Sequence, residues 1–236
     1  MFIEEMTMEE FKRGLRKTKT ILIPFGTVEE HGRHLPLSTD TMVAVEALRR
    51  VAEKLKVFIA PPLHYGVCTS TRQHPGTITI KPSTLRALTR DIVVDCYKKG
   101  LRNFVLVTGH GGGLHINAMK EVAEELVEEL KGIRMAVVCP YNLLWTELSE
   151  IAETENDSHA GEIETSLVLA IKPELVKGRS KEEYPSFPKP LVVKDKLKYW
   201  PGGVWGNPKK ATPEKGERVF ELIVDRLISV IKEVER

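Results

Sequence analysis

Residues 26–40, GTVEEHGRHLPLSTD, collect metal-capable side chains directly after an apolar run, TILIPF. Glu29 and His31 are two residues apart, so in extended backbone their side chains point to the same side. Asp40 stands at the predicted start of the next helix. Oxygen and imidazole ligands without thiolate suit Zn²⁺, Mn²⁺ or Fe²⁺. The stretch therefore predicts part of a metal site.

Two further clusters carry residues of the same kinds. TGHGGGLH (108–115) contains His110, and DSHAGEIETS (157–166) contains His159 and Glu162. If the second cluster opens a helix, His159 and Glu162 lie three residues apart on one face. More than four candidate ligands suit two ions that share a bridging carboxylate. Such a pair activates a water molecule and polarises a carbonyl, which is the chemistry of amide hydrolysis.

Each candidate also has a simpler interpretation. Asp40 could be the N-cap of the following helix, and Glu29 could be a surface carboxylate. His31 and His110 could be ordinary histidines that hydrogen-bond to the backbone. The joint placement of these residues at predicted strand ends favours the metal site over the simpler interpretations.

The glycine-rich loop and the cysteines offer competing chemistry. TGHGGG could hold a phosphate on the backbone N–H groups at a helix N-terminus. It is not a P-loop, because GK[ST] is absent, and Leu114 stands where GxGxxG needs a third glycine. Cys68 is the one candidate cysteine nucleophile. Cys68, Cys96 and Cys139 form no CxxC pair and are expected to be buried thiols.

Alternating strands and helices must position these clusters. Short apolar runs predict strands at 20–25, 57–63, 77–80, 103–109 and 134–140. Amphipathic patterns predict helices at 41–56, 83–99, 115–131 and 213–234. This order indicates an α/β fold with a mostly parallel sheet, covered on both faces, in one domain over 1–236. In such sheets ligands bind beyond the carboxyl ends of the strands, where the clusters fall.

Composition narrows the class of partner. Lys plus Arg total 35 against 33 Asp plus Glu, and a net charge of +2 gives no electrostatic reason to expect nucleic acid or an anionic membrane. A small-molecule substrate is the expectation. The charged N-terminus has no secretory signal, and no apolar run approaches a membrane span, so we expect a cytoplasmic protein. The segment 178–212 is expected to be a long irregular excursion whose aromatic residues are buried.

The motifs together resemble the creatininase family of metal-dependent amidohydrolases. The segments that carry the resemblance are GTVEEHGRHLPLSTD, HPGT (74–77), TGHGGG (108–113), HAGEIETS (159–166) and, more weakly, GNPKKAT (206–212). The resemblance implies a three-layer α/β/α sandwich with a mostly parallel sheet. It also implies a homo-oligomer, and hexamers occur among such proteins.

The resemblance also implies roles for individual residues. It makes Glu29 a ligand of one metal ion, His31 a ligand of the other, Asp40 the bridge between them and His110 a further ligand of the first.

One position departs from the family pattern. In creatininase a glutamate two residues after the equivalent of His110 completes the second metal site, whereas this chain has Gly112 there. We expect Glu162 to replace that glutamate as a ligand. His159 is then expected to polarise the substrate carbonyl or, with Glu162, to protonate the departing nitrogen.

Within the family, the GHGG loop and the HAGE segment are most similar to the archaeal formamidopyrimidine nucleotide deformylases of riboflavin and deazaflavin-cofactor biosynthesis. The implied reaction is release of formate from a formamidopyrimidine ribonucleotide monophosphate, by a hydroxide held between two ions of Fe²⁺, Zn²⁺ or Mn²⁺. The phosphate could bind the glycine-rich loop, with charge supplied by Arg33, Arg72 or Lys81. Creatinine-like hydrolysis of a cyclic amide and a non-catalytic metal- or nucleotide-binding module are the alternatives.

Overall fold

A four-stranded parallel sheet organises the protein, whose computed structural model describes residues 1–236. The strands are β1 (Thr20–Phe25), β2 (Phe58–Ile59), β3 (Asn103–Thr108) and β4 (Arg134–Val138), in the order β2-β1-β3-β4. Every residue of β1 and β3 is buried. Strands covered on both faces are apolar along their whole length, which explains why TILIPF and NFVLVT lack polar alternation.

Eight α-helices surround this sheet. They are α1 (Met8–Gly14), α2 (Thr39–Lys54), α3 (Pro82–Lys98), α4 (Gly113–Glu129), α5 (Pro140–Leu143), α6 (Trp145–Ile151), α7 (Glu162–Ile171) and α8 (Pro213–Glu235). The four helices predicted from amphipathic patterns correspond to α2, α3, α4 and α8. None of the eight combines the length and the apolar character that a bilayer crossing requires.

The helices form one layer on each face of the sheet. Alternate strand residues point to opposite faces: Leu22 and Val105 join a core with α2, α7 and α8, whereas Ile21 and Phe104 join a core with α3 and α4. This arrangement follows from the period-two geometry of a strand. It confirms the α/β fold with a parallel sheet flanked by helices.

The predicted strand over 77–80 is wrong. Ile78 makes only an isolated antiparallel bridge to Val28, and its side chain is half exposed. The pairing cannot extend because α3 begins at Pro82, two residues after the TITI run ends. The strand predicted over 57–63 is also shorter: β2 consists of Phe58 and Ile59, and Leu63 adds one isolated parallel bridge to Phe25 of β1.

The chain between α7 and α8 is irregular, as expected for most of it. It contains two short 3₁₀ turns, Pro173–Leu175 and Pro208–Lys210, and neither strand nor α-helix. Trp200 anchors the segment: the residue is buried, its indole N–H donates to the carbonyl of Val204 at 2.7 Å, and its own carbonyl lies 2.7 Å from Nε2 of His74. Burial does not extend to every aromatic residue, because Tyr184 is half exposed.

Candidate metal centre

The loops that follow β1 and β3 meet the first turns of α2 and α7 at the carboxyl edge of the sheet. They surround a cavity of about 720 Å³, whose lining includes Glu29, Asp40, His110, His159 and Glu164. This is where a parallel α/β sheet places its ligand crevice. The three sequence clusters therefore converge on one site.

Glycines after β3 allow the close approach of these elements. A Cβ on Gly109 would lie 2.1 Å from the carbonyl oxygen of Asp40. The chain after β3 can therefore pass the start of α2 only because residue 109 is glycine. A Cβ on Gly112 would lie 2.3 Å from Nε2 of His110. The glycine-rich loop thus lets the backbone fold tightly around His110.

His31 lies fully buried between the backbone and two carboxylates. Its Nδ1 is 3.1 Å from the carbonyl oxygen of Glu29, to which it can donate. Its Nε2 is 3.1 Å from Oδ1 of Asp40 and 3.6 Å from Oε2 of Glu164. The backbone contact fixes the ring and leaves Nε2 directed at the acidic residues.

His110 repeats this arrangement from the opposite side. Its Nε2 lies 3.2 Å from the carbonyl oxygen of Val67, and its Nδ1 lies 2.8 Å from Oε2 of Glu29 and 3.2 Å from Oδ2 of Asp40. A histidine that ligates a metal ion usually donates its other ring N–H to a carbonyl or carboxylate, which fixes the tautomer. Both histidines have that second contact.

Asp40 lies between the two histidines, with one carboxylate oxygen toward each. It is the second residue of α2, whose N-cap position is Ser38, so the interpretation of Asp40 as the N-cap is wrong. Glu29 is 3% exposed and is not a surface carboxylate. Hydroxyl groups support both: Thr27 donates to Asp40, and Thr71 donates to Glu29.

The electrostatics of the site are dominated by buried negative charge. The ion pairs of Glu29, Asp40 and Glu164 are all with histidines, and no lysine or arginine reaches them. Burial opposes a charged imidazole, but Asp40 and Glu164 outweigh it and raise the pKa of His31 to about 10. Burial raises the pKa of Glu164 above its ordinary value. These groups favour a positive charge among them.

The donor set fits divalent ions. Three groups of side chains each bring their ligand atoms within 4.8 Å of one another: Glu29, His31 and His159; Glu29, Cys68 and His110; and His31, Asp40 and Glu164. Carboxylates and imidazoles in this number suit two ions of Zn²⁺, Mn²⁺ or Fe²⁺. Burial raises the pKa of the Cys68 thiol, which therefore stays protonated and is a poor nucleophile.

Glu162 does not join this cluster, and the expectation that it completes the second metal site is corrected by the structure. Its carboxylate accepts hydrogen bonds from the backbone N–H groups of Glu153 and Thr154, at 3.1 and 2.8 Å, and from Nζ of Lys215 at 2.5 Å. These contacts direct it away from His31. They also exclude Glu162 from protonating a departing nitrogen in the cavity.

Glu164, and not Glu162, directs its carboxylate at the cluster, with Oε2 3.6 Å from Nε2 of His31. The cause is the start of α7: Asp157 caps the N–H groups of Glu162 and Ile163, at 2.7 and 2.9 Å, and the helix begins only at Glu162. His159 lies before the helix, so its three-residue spacing from Glu162 does not place the two side chains on one helical face. In the sequence, Asp157 upstream of Glu162 and Glu164 was the signal that could have indicated this. A capping aspartate marks where the helix begins, and the helix start decides the direction in which each glutamate points.

His159 lies at the cavity wall, as its motif suggested. Its Nε2 is 2.8 Å from the carbonyl oxygen of Glu30 and 3.4 Å from Oε1 of that residue. Its ring centroid is 4.3 Å from that of His31 and 5.2 Å from that of Trp200. Glu30 was not singled out from the sequence, because one glutamate next to another gives no indication of which one is buried.

The glycine-rich loop lines the cavity, but the expected cationic residues do not. Gly111, Gly112 and Gly113 are all part of the lining. Arg33, Arg72 and Lys81 are exposed and lie outside it. The lining contains no lysine or arginine, and three tryptophans contribute to it: Trp145, Trp200 and Trp205.

Comparison with known proteins gives consistent matches over nearly the whole chain. The family model described as creatininase, creatinine amidohydrolase, matches residues 4–231. A creatinine amidohydrolase of Pseudomonas putida is 27% identical over 99% of this chain and 96% of its own. A mycofactocin precursor peptide peptidase of Mycobacterium ulcerans is 32% identical over 90% of this chain and 84% of its own. Both relatives are hydrolases of C–N amide bonds.

Solved structures match in the same way. A crystal structure of creatinine amidohydrolase has a TM-score of 0.87 at 24% identity, covering 98% of this chain and 96% of its own. It confirms the creatininase-like fold. A creatininase structure described as the Zn–Zn type is 25% identical with a TM-score of 0.84 over 98% and 97% of the two chains.

Proposed function

The chain belongs to the creatininase family of amidohydrolases, and from that premise we propose that it hydrolyses an amide bond with two divalent metal ions. The proposed ligands are Glu29, His31, Asp40, His110 and Glu164. Relatives of the family act on C–N amide bonds, which supports an enzyme over a non-catalytic binding module.

One observation carries this proposal. Asp40 directs one carboxylate oxygen at Nε2 of His31 and the other at Nδ1 of His110, at 3.1 and 3.2 Å. Each imidazole holds its second nitrogen against a backbone carbonyl, so both rings are oriented before any ligand binds. A bridging carboxylate between two fixed imidazoles is the arrangement that a pair of ions needs.

The ions would lower the pKa of a bound water molecule and polarise the substrate carbonyl. The remaining work falls to the protein. His159, held by the backbone of Glu30, lies where it can transfer a proton to the departing nitrogen. Thr27 and Thr71 fix the carboxylates of Asp40 and Glu29. Glu162 is assigned no chemical step.

The finer proposal for the substrate is the formyl group of a formamidopyrimidine ribonucleotide monophosphate. Gly111–Gly113 line the cavity at the start of α4, where backbone N–H groups could receive a phosphate, and this supports a nucleotide. The absence of lysine and arginine from the lining means that the backbone alone would hold it.

A second candidate is hydrolysis of a cyclic amide of the creatinine kind. The tryptophans in the lining offer flat apolar walls to a planar ring, and the neutral to acidic remainder of the lining suits a ring without an anionic group. The similarity to the Pseudomonas putida enzyme supports the same class.

The test is hydrolysis by protein purified without oxygen, freed of metal and supplied in turn with Fe²⁺, Mn²⁺ and Zn²⁺. Formate release from the formamidopyrimidine ribonucleotide is measured beside hydrolysis of creatinine and of a short peptide amide, with chelator-treated protein as control. Metal-dependent formate supports the deformylase. Metal-dependent cleavage of another amide would replace the proposed substrate and leave the proposed metal-dependent amide hydrolysis in place. Failure to bind metal together with no hydrolysis of any amide contradicts the proposal.

We also propose a homo-oligomer, with a hexamer as the form to test by mass in solution. Exposed apolar side chains on the irregular segment support it: Leu191 is 70% exposed and Val192 is 97% exposed.

A further inference from the structure

Tyr141 occupies a position in the cavity that no motif indicated. It lies on α5, directly after the carboxyl end of β4, the strand next to β3 in the sheet. It lines the same cavity as Glu29, Asp40 and Glu164. Its ring also packs against the core between the sheet and α8, which fixes the direction of the side chain.

The phenolic hydroxyl of Tyr141 has no hydrogen-bond partner in the protein, although its oxygen is inaccessible to solvent. Buried tyrosine hydroxyls usually find a partner, because leaving one unpaired costs stability. Tyr97 illustrates the usual case, since its hydroxyl donates to the carbonyl of Lys131 at 2.8 Å. Because Tyr141 lines the cavity, a bound ligand can supply the acceptor that the protein does not.

The charges around Tyr141 decide what kind of group it is. Burial, and then the negative charges of Glu164 and Asp40, raise the pKa of Tyr141 well above its ordinary value. A tyrosine hydroxyl has an ordinary pKa of about 10, so at neutral pH it carries its proton and acts as a donor. The Tyr141 hydroxyl makes no hydrogen bond to either carboxylate, so its donor is unused by the protein.

We propose that Tyr141 is a catalytic residue whose O–H donates a hydrogen bond to the carbonyl oxygen of the substrate amide. This inference rests on the proposed function. When the water oxygen bonds to the carbonyl carbon, the π electron pair moves onto the carbonyl oxygen. That oxygen is then negatively charged and accepts more strongly. When the C=O bond re-forms, the C–N bond breaks and the nitrogen takes, through His159, the proton that the water lost on attack. Tyr141 thus stabilises the charge without giving up its own proton.

The substitution Tyr141→Phe removes only the hydroxyl and retains the packed ring. Tyr97→Phe, on the outer helix α3, is the matched control for loss of a phenol hydroxyl. On the amide that the wild-type protein hydrolyses, Tyr141→Phe is expected to lower kcat about 100-fold and to change KM by less than about threefold. Metal content and melting temperature are expected to match the control. An unchanged kcat overturns the proposal.

Formate affinity provides a readout that needs no known substrate. Formate presents anionic oxygens where the reacting oxygen would lie, and its dissociation constant is measured by calorimetry on the metal-loaded proteins. Tyr141→Phe is expected to bind formate roughly tenfold more weakly than wild type and Tyr97→Phe. Equal affinities, or no binding to loaded wild type, overturn the role of Tyr141. Failure of the proposed function itself appears separately, as wild-type protein that neither binds metal nor hydrolyses an amide.

Discussion

Two regions that meet at the first turn of α7 use buried carboxylates in opposite ways. The Glu162 side consists of Glu162, Lys215 and the backbone of Glu153 and Thr154; the Glu164 side consists of Glu164, His31 and Asp40. The two glutamates are 0% and 5% exposed and differ by two positions in the chain. Glu162 is paired with a lysine and two backbone N–H groups. Glu164 accepts a backbone N–H from Ala160 and otherwise lies beside the imidazole of His31 and the carboxylate of Asp40, without a lysine or arginine partner.

The difference shows what separates a structural carboxylate from a functional one. Burial raises the pKa of both glutamates, but hydrogen bonds from Lys215 and from the backbone at 153–154 reverse the effect at Glu162, whose pKa falls below its ordinary value. The pKa of Glu164 stays raised, because burial outweighs the nearby imidazoles of His31 and His159 and no lysine or arginine pairs with it. A complete set of protein partners indicates structure, and an incomplete one indicates a site that binds a cation.

The strongest test of this contrast is Asp40→Ala. Removing the carboxylate between the two histidines is expected to abolish binding of both ions and to lower amide hydrolysis by more than about 100-fold, since loss of outer-shell partners alone costs 10- to 100-fold. Asp225→Ala, at an exposed aspartate on α8, is the control and should keep full metal content and activity. Two ions per chain in Asp40→Ala, measured by elemental analysis, would contradict the proposed bridge.

The comparison extends to two histidines on the loop after β1. His31 faces carboxylates, whereas His34 lies between two hydroxyls, with Nδ1 2.9 Å from Ser180 and Nε2 2.8 Å from Thr165. Burial, and then Arg179, lower the pKa of His34 from 6.5 to about 4. Between these values the unfolded chain binds a proton that the folded protein does not. The free energy of unfolding should therefore fall as the pH drops from 6.5 to 4.

The expected loss through His34 is about 3 kcal/mol at most, from 1.36 kcal/mol for each unit of pKa difference. Denaturant unfolding of the metal-free protein at several pH values measures it. His34→Gln, which can still bond to both hydroxyls, should lose this part of the pH dependence. If the free energy of unfolding depends on pH in the same way in wild type and in His34→Gln, His34 is not the source of the dependence.

On the Glu162 side, Lys215→Met should weaken the fold and leave the metal site intact. The variant leaves the Glu162 carboxylate with only its backbone donors, and we expect a loss of about 2 kcal/mol in the free energy of unfolding. Lys54→Met removes an exposed ion pair with Asp225 and should cost less than about 0.5 kcal/mol. Chemical denaturation compares the two. A loss of bound metal in Lys215→Met would mean that the Glu162 side contributes to metal binding, which contradicts the contrast drawn between the two sides.

The sheet and the location of the site were predictable from the sequence because both depend on local patterns. Two apolar runs, TILIPF and NFVLVT, are each followed by polar clusters, and parallel topology brings the ends of such strands together. Glu29, His31, Asp40 and His110 follow from this placement and from the family motif. The TITI run shows the limit, since strand pairing depends on a neighbour that the local pattern does not contain.

The choice between Glu162 and Glu164 was missed because it depends on where α7 begins, and Asp157 caps that helix instead of belonging to it. A shift of the helix start from 157 to Glu162 moves both carboxylates to other directions. Lys215 decides the role of Glu162 from 53 residues away along the chain. Tyr141 was missed for a related reason: its importance lies in an unpartnered buried atom, which is visible only in three dimensions.

The number of metal ions bound to each chain, in wild type and in matched Glu164→Gln and Glu162→Gln variants, tests the account most directly. Each protein is loaded with Zn²⁺, desalted and measured by elemental analysis against protein concentration. We expect two ions in wild type, two in Glu162→Gln and about one in Glu164→Gln, because only Glu164 is a proposed ligand. Loss of an ion in Glu162→Gln with none lost in Glu164→Gln would contradict it.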